Sequence, residues 1–177
     1  MARYTGPRDK ISRRFGVPLF GPSKALERRA YPPGMHGGIR GGRRPKRSDY
    51  SLALAEKQKL RFQYGVLEKQ FRRYFAEAQR RRGVTGTLLI ELLEMRLDNI
   101  IYRMGFSNTR AGARQFVNHG HVLVNGGRVD IPSYNTKPGD QIVVRDNPRS
   151  KQLALRGLDL TQAVVQPDWL VVDRDSL

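Results

Sequence analysis

The stretch from Leu88 to Arg145 constrains this chain most: two helical patterns separated by a Gly-Phe-Ser-Asn-Thr break, then a β-hairpin closed at Asn125-Gly126-Gly127. In the first half Leu89, Leu92, Leu93, Leu97, Ile100, Ile101 and Met104 recur at helical spacing, predicting one helix with Thr87 as N-cap and Gly105 as stop. A second, shorter helix is expected from Thr109, whose hydroxyl can cap the next turn, through Ala113, Phe116 and Val117 to Gly120. The run HVLVNGGRVDIP then gives two short β-branched segments around Asn-Gly-Gly, where both turn positions require positive φ. Pro138-Gly139-Asp140 turns the chain into a last strand, Gln141 to Arg145. Two helices against a short antiparallel sheet make an α+β module.

Charge narrows the function. The chain carries 33 Lys and Arg against 16 Asp and Glu, a net +17 over 177 residues. A polyanionic partner relieves that self-repulsion. A membrane surface is disfavoured, because no run reaches the roughly 18 apolar residues of a spanning helix and no broad apolar helix face opposes the charge. The missing leader and targeting signals favour the cytoplasm, and zero cysteines exclude disulfides and thiol catalysis. Residues 1–49, 50–90, 91–146 and 147–177 hold balances of +10, +6, +1 and 0, so the electrostatic footprint is mostly N-terminal.

Residues 1–47 are rich in Gly, Pro and Arg with few periodic apolar positions, an extended basic arm expected to fold on a partner. Its basic clusters are Arg8, Lys10, Arg13 and Arg14, then Arg40, Arg43, Arg44, Lys46 and Arg47. Tyr4, Phe15, Phe20, Tyr31 and Pro32-Pro33-Gly34 interleave with the charge, which suits a specific RNA path better than a loose tail. Arg3, Tyr4, Arg8, Arg13, Arg14, His36, Arg43, Arg44, Lys46 and Arg47 are the candidate RNA contacts here. His36 alone supplies one donor where a structural zinc needs four.

From Ser48, a candidate cap, the texture is helical to Tyr64, and a further helix places Leu67, Phe71, Tyr74, Phe75 and Ala78 on one stripe. Residues 57–82 hold nine bases against two acids, too one-sided for an ordinary solvated face. Candidate contacts are Tyr50, Lys57, Lys59, Arg61, Tyr64, Lys69, Arg72 and Arg73. Gly83 and Gly86 bracket a link into the central module. There Arg96, Arg103, Thr109, Arg110, Arg114, Asn118, His119, His121, Asn125 and Arg128 are expected to line one surface, with amides near Thr109 offering a phosphate site. The competing reading pairs Arg96 with Asp98 or Glu91. Strand alternation sends His119 and His121 to opposite sides with no third donor near, so no metal site is expected. After Arg145, a polar link to Gln152, a short helix in LALRGLDLTQAVVQ, a turn at Pro167-Asp168-Trp169-Leu170 and a strand at Leu170-Val171-Val172 are expected.

The run RLDNIIYRMGFSNTRAGARQFVNHGHVLVNGGRVDIPSYNTKPGDQIVV resembles the S4-type (αL) RNA-binding module, and the flanks MARYTGPRDKISRRFG and EKQKLRFQYGVLEKQFRRYF resemble the bacterial-type small-subunit ribosomal protein S4 family. The resemblance covers nearly the whole chain. It implies a mostly helical N-terminal domain (arm 1–47, helices 48–86), an S4-type module (87–146) and a C-terminal segment (147–177) packing back on the N-terminal domain. It also implies a primary binder of 16S rRNA that nucleates assembly of the 30S body and, with ribosomal proteins S5 and S12, influences decoding accuracy. The expected place is the ribosome, cytoplasmic or organellar. Some relatives carry a cysteine cluster for zinc or iron-sulfur in the N-terminal region, which this cysteine-free sequence lacks. The family usually continues past the position of Leu177, into a segment that helps meet S5. Two other classes compete: an RNA-modifying or tRNA-charging enzyme using the module as an appendage, and a regulator binding a messenger leader. Removing the module leaves too little chain for a catalytic domain, and the acids at Asp9, Glu27 and Asp49 are scattered singly. No cofactor or small-molecule substrate is expected.

Overall fold

The computed structural model describes residues 3–35, 37, 48–161 and 166–173. The chain divides into two compact units, Met1–Arg72 and Arg73–Leu177.

In the first unit α1 spans Arg8–Phe15, α2 Lys24–Arg28 and α3 Asp49–Gln63. Helix α1 stops at Gly16, which takes the left-handed conformation. Ser23 caps α2 by accepting from the Leu26 amide while donating to Asp9. Ser48 caps α3, its hydroxyl accepting from the Ser51 amide, as expected. The expected arm without a core differs from what is seen over its described part. Ile11 and Leu19 are buried with Phe62 of α3, and Tyr4, Phe15 and Phe20 pack around them. The reason is non-local: α3 supplies the apolar partner that no window of the first 47 residues contains. His36, Arg40, Arg43, Arg44, Lys46 and Arg47 lie outside the described residues.

Helix α4, Glu68–Arg80, buries Phe71 and Ala78, but Phe75 is exposed, so the expected stripe is narrower than the sequence suggests.

The second unit holds α5 (Thr85–Glu94), α6 (Leu97–Arg103), α7 (Arg110–Asn118), β1 (Val122–Val124), β2 (Gly127–Arg128), β3 (Ile142–Val144) and α8 (Pro148–Leu160). Where periodicity predicts one helix from Thr87, the structure has two, beginning at Thr85, so Gly86 lies inside α5 rather than in a link. The break falls at Arg96, which is extended and bridges Asn135. Thr136 donates both its amide and its hydroxyl to the Met95 carbonyl, and the Tyr134 carbonyl accepts from the Leu97 amide. These long-range bonds satisfy the backbone groups that the interruption would orphan.

Helix α7 begins as expected: the Thr109 hydroxyl accepts from the Gly112 amide at 3.1 Å. The antiparallel sheet has the order β2-β1-β3, pairing Val124 with Gly127 and Leu123 with Val143. Its hairpin turn has φ of 51° at Asn125 and 78° at Gly126, both positive as the motif demands. The core joins Leu97, Ile100, Ile101 and Met104 of α6 and its end to Ala113, Phe116 and Val117 of α7 and to Val122, Val124 and Val144 of the sheet. Each large aliphatic side chain buried there contributes about 1.5–3 kcal/mol.

Helix α8 starts earlier than expected, at Pro148, because Asn147 caps it through the Arg149 amide and proline suits a first helical position. In the C-terminal segment Ala154 and Leu158 belong to the module's core, and Leu170 and Val172 pack against that core, the expected strand at Leu170-Val171-Val172 not forming. Residues 162–165, the end of the expected helix, lie outside the described residues. Among the described residues no helix is long and apolar enough to cross a membrane.

Candidate nucleic-acid interface

In the first unit the interleaved aromatics hold arginines in place. Arg13 lies over the Tyr31 ring at 5.0 Å and donates to the Arg29 and Tyr31 carbonyls. Arg8 sits over Phe20, Arg14 over Phe15 and Arg61 over Phe62 at 4.2 Å. Such stacking fixes a guanidinium while leaving its charge in place. Arg3, Arg8, Arg14 and Tyr50 are exposed. Lys57 donates to Glu68 and Lys59 to Glu56. The Lys57 bond, followed by that from Arg72, holds the Glu68 carboxyl below its ordinary range against the opposing effect of burial. Tyr64 is 5% exposed, correcting the expectation of a surface contact: it closes α3 just before Gly65 turns the chain. Lys69, Arg72 and Arg73 are exposed along α4. Further along it, hydrogen bonds from Arg80 and then Arg81 hold Glu77 down at about 2.

In the second unit two expected contacts prove internal. Arg96 is fully buried and Arg114 is 7% exposed. Both grip Asp98: Arg96 through Nε and Nη2 at 3.0 and 2.7 Å, Arg114 through Nε and Nη2 at 3.0 and 2.9 Å. Arg96 also donates to the Tyr74 hydroxyl. Burial works against the charged form of Arg96, but the Asp98 pair outweighs it and the guanidinium's pKa is raised. The pairing of Arg96 with Asp98 is therefore the reading that holds, and Arg110 and Arg114 do not share an exposed face.

The remaining candidates fall into two groups at the ends of α7, about 13 Å of helix apart. At its start Thr109 caps and Arg110 lies over the Tyr102 ring at 4.5 Å, donating from Nε to the Asn99 amide oxygen. Arg103 is held close by, paired with Glu94 at 2.6 Å. At its end stand Asn118, His119, His121 and Arg128, whose guanidinium covers Gly120. His119 lies in the helix cap rather than in a strand, so the two histidine rings are neighbours with centroids 5.9 Å apart, not on opposite sides. His121 bonds the Ser150 hydroxyl through Nδ1 at 2.8 Å. Burial, then His119 and Arg145, lower its pKa. Asn125 is engaged in structure: it donates to Asp140 and accepts from the Gln141 amide, tying the hairpin turn to the turn before β3. Among the described residues no cluster of three potential metal ligands forms.

Comparison with known proteins identifies the family. Residues 3–94 match the family model "Ribosomal protein S4/S9 N-terminal domain", and residues 95–142 match "S4 domain". Over 177 residues the chain is 67% identical to the small ribosomal subunit protein uS4 of Akkermansia muciniphila, covering 100% of this chain and 86% of that one. It is 53% identical to the uS4 of Opitutus terrae, with 99% of this chain and 85% of that one covered. For the uS4 of Persephonella marina the figures are 51%, 99% and 86%. The chain belongs to the ribosomal protein S4 family.

The S4-family module owes its arrangement of charges to residues that sequence reasoning missed. Glu94 and Asn99 connect Arg103 to Arg110, and Tyr102 supports the latter. The one available signal was the placement of Asp98 and Asn99 inside an otherwise apolar helical stripe, where buried polar groups require partners.

Proposed function

We propose that this S4-family chain is a structural protein of the small ribosomal subunit that binds 16S rRNA as a primary contact. It nucleates assembly of the subunit body and, with ribosomal proteins S5 and S12, influences accuracy. The observation that carries this reading is that half-buried cations are held in fixed poses, Arg13 on Tyr31 and Arg110 on Tyr102, within a chain of net charge +17. Fixed, stacked guanidiniums suit the phosphates of folded RNA, whose deep major groove resists base reading. Kinship with uS4 proteins of several bacteria supports the same reading. The basic run Arg43, Arg44, Lys46 and Arg47 adds to the footprint.

An open groove of about 1100 Å³ in the second unit does not favour catalysis. Two of its carboxylates are committed, Glu94 to Arg103 and Asp140 to the Lys137 amide and Asn125.

Filter binding of 16S rRNA at increasing salt tests the proposal. Neutralising about six phosphates predicts roughly a thousandfold loss of affinity between 50 and 200 mM salt. A flat response would overturn it.

A further inference from the structure

Arg110 occupies an unfavourable place for a cation. It is the first residue of α7, whose opening turn contains no acid, so it faces the positive end of the helix. Two side chains nevertheless hold it there, and a third orients one of them. Its Nε donates to the Asn99 Oδ1 at 2.9 Å, and its guanidinium carbon lies 4.5 Å from the centre of the Tyr102 ring. The Asn99 amide nitrogen donates in turn to the Glu94 carboxylate at 2.6 Å, which also receives Arg103 through Nε and Nη2 at 3.0 and 2.6 Å. Asn99 is 1% exposed.

The chemistry of this relay requires an amide. One end of Asn99 must accept from a guanidinium and the other must donate to a carboxylate, so its orientation is forced. An aspartate would place a second carboxylate against Glu94, and a leucine would remove both bonds that pass through this position. A helix start occupied by a cation is stabilised when an anion arrives, and a guanidinium already held against an aromatic face and an amide loses little freedom on meeting it.

We propose that Asn99 and Tyr102 are positioning residues that hold the Arg110 guanidinium in the pose it uses on an RNA phosphate, with Glu94 orienting Asn99. This inference rests on the RNA-binding reading above.

The test is a set of mutant cycles on the full chain, with 16S rRNA transcribed in vitro as the probe and folding followed by circular dichroism. Arg110→Ala should weaken binding about tenfold or more, the worth of a charge-assisted contact. Asn99→Ala and Tyr102→Leu should each weaken it several-fold, yet add nothing on the Arg110→Ala background. Tyr102→Phe, which keeps the ring, should rescue what Tyr102→Leu loses. Additive losses, as a general weakening of the fold would give, overturn the proposal, as does full affinity in the folded Asn99→Ala and Tyr102→Leu variants. Should Asn99→Ala fail to fold, the Tyr102 pair of variants decides alone. If Arg110→Ala binds normally while the unaltered chain retains steep salt dependence, the positioning role falls and the functional reading stands. If the unaltered chain shows no preference for 16S rRNA, the functional reading itself falls.

Discussion

Replacing Asp98 by alanine removes one carboxylate from two buried guanidiniums. Four hydrogen bonds end on it, between 2.7 and 3.0 Å, from side chains that are 0% and 8% exposed. Breaking a buried ion pair from one side costs about 3–5 kcal/mol, because an uncompensated charge stays in a poorly solvated site. Arg96 keeps only the Tyr74 hydroxyl among its side-chain partners named above. The break between α5 and α6 weakens with it, since Arg96 forms that junction. A domain of this size is stable by roughly 5–15 kcal/mol, so about a fifth or more of its stability is at stake. Urea unfolding followed by circular dichroism measures the loss, with Arg80→Ala, an exposed pair on α4, as a control expected to change little. A loss below about 1 kcal/mol in Asp98→Ala would refute the claim that this network holds the module together.

Two other perturbations follow from the structure. A methyl group at Gly157 would overlap the Phe106 carbonyl, so Gly157→Ala should destabilise by about 1–3 kcal/mol in urea unfolding even though alanine is the better helix former; a gain in stability would contradict the packing. The lowered pKa of His121 means that the unfolded chain takes up its proton more readily than the folded one. Stability is therefore expected to fall as pH drops below about 6.5, and His121→Gln should flatten that dependence in thermal unfolding at pH 7 and pH 5; equal slopes would count against it.

The legible part of this fold is local. Thr109 as a cap, Asn125-Gly126 as a turn and Ser48 as a helix start are each encoded within four residues, and each stands where its chemistry predicts. What escaped the sequence depends on partners far along the chain. The helix break at Arg96 is fixed by Asn135 and Thr136, some forty residues on, and hydrophobic spacing alone runs straight through it. Periodicity likewise does not show that Ile11 and Leu19 meet Phe62. The same limit governs the interface. Arginine spacing puts Arg110 and Arg114 on adjacent turns of one helix, but only the position of Asp98 on α6 shows that Arg114 turns inward, and only Asn99 and Tyr102 show how Arg110 is held.

On the function proposed above, this chain recognises small-subunit ribosomal RNA through placed cations rather than by bulk charge. Crosslinking the protein to total cellular RNA and sequencing the adducts tests it most directly, because a chain of net charge +17 binds many RNAs weakly but a built surface selects one. Adducts concentrated at one junction of 16S rRNA are expected. Adducts spread across cellular RNAs in proportion to their abundance would contradict it.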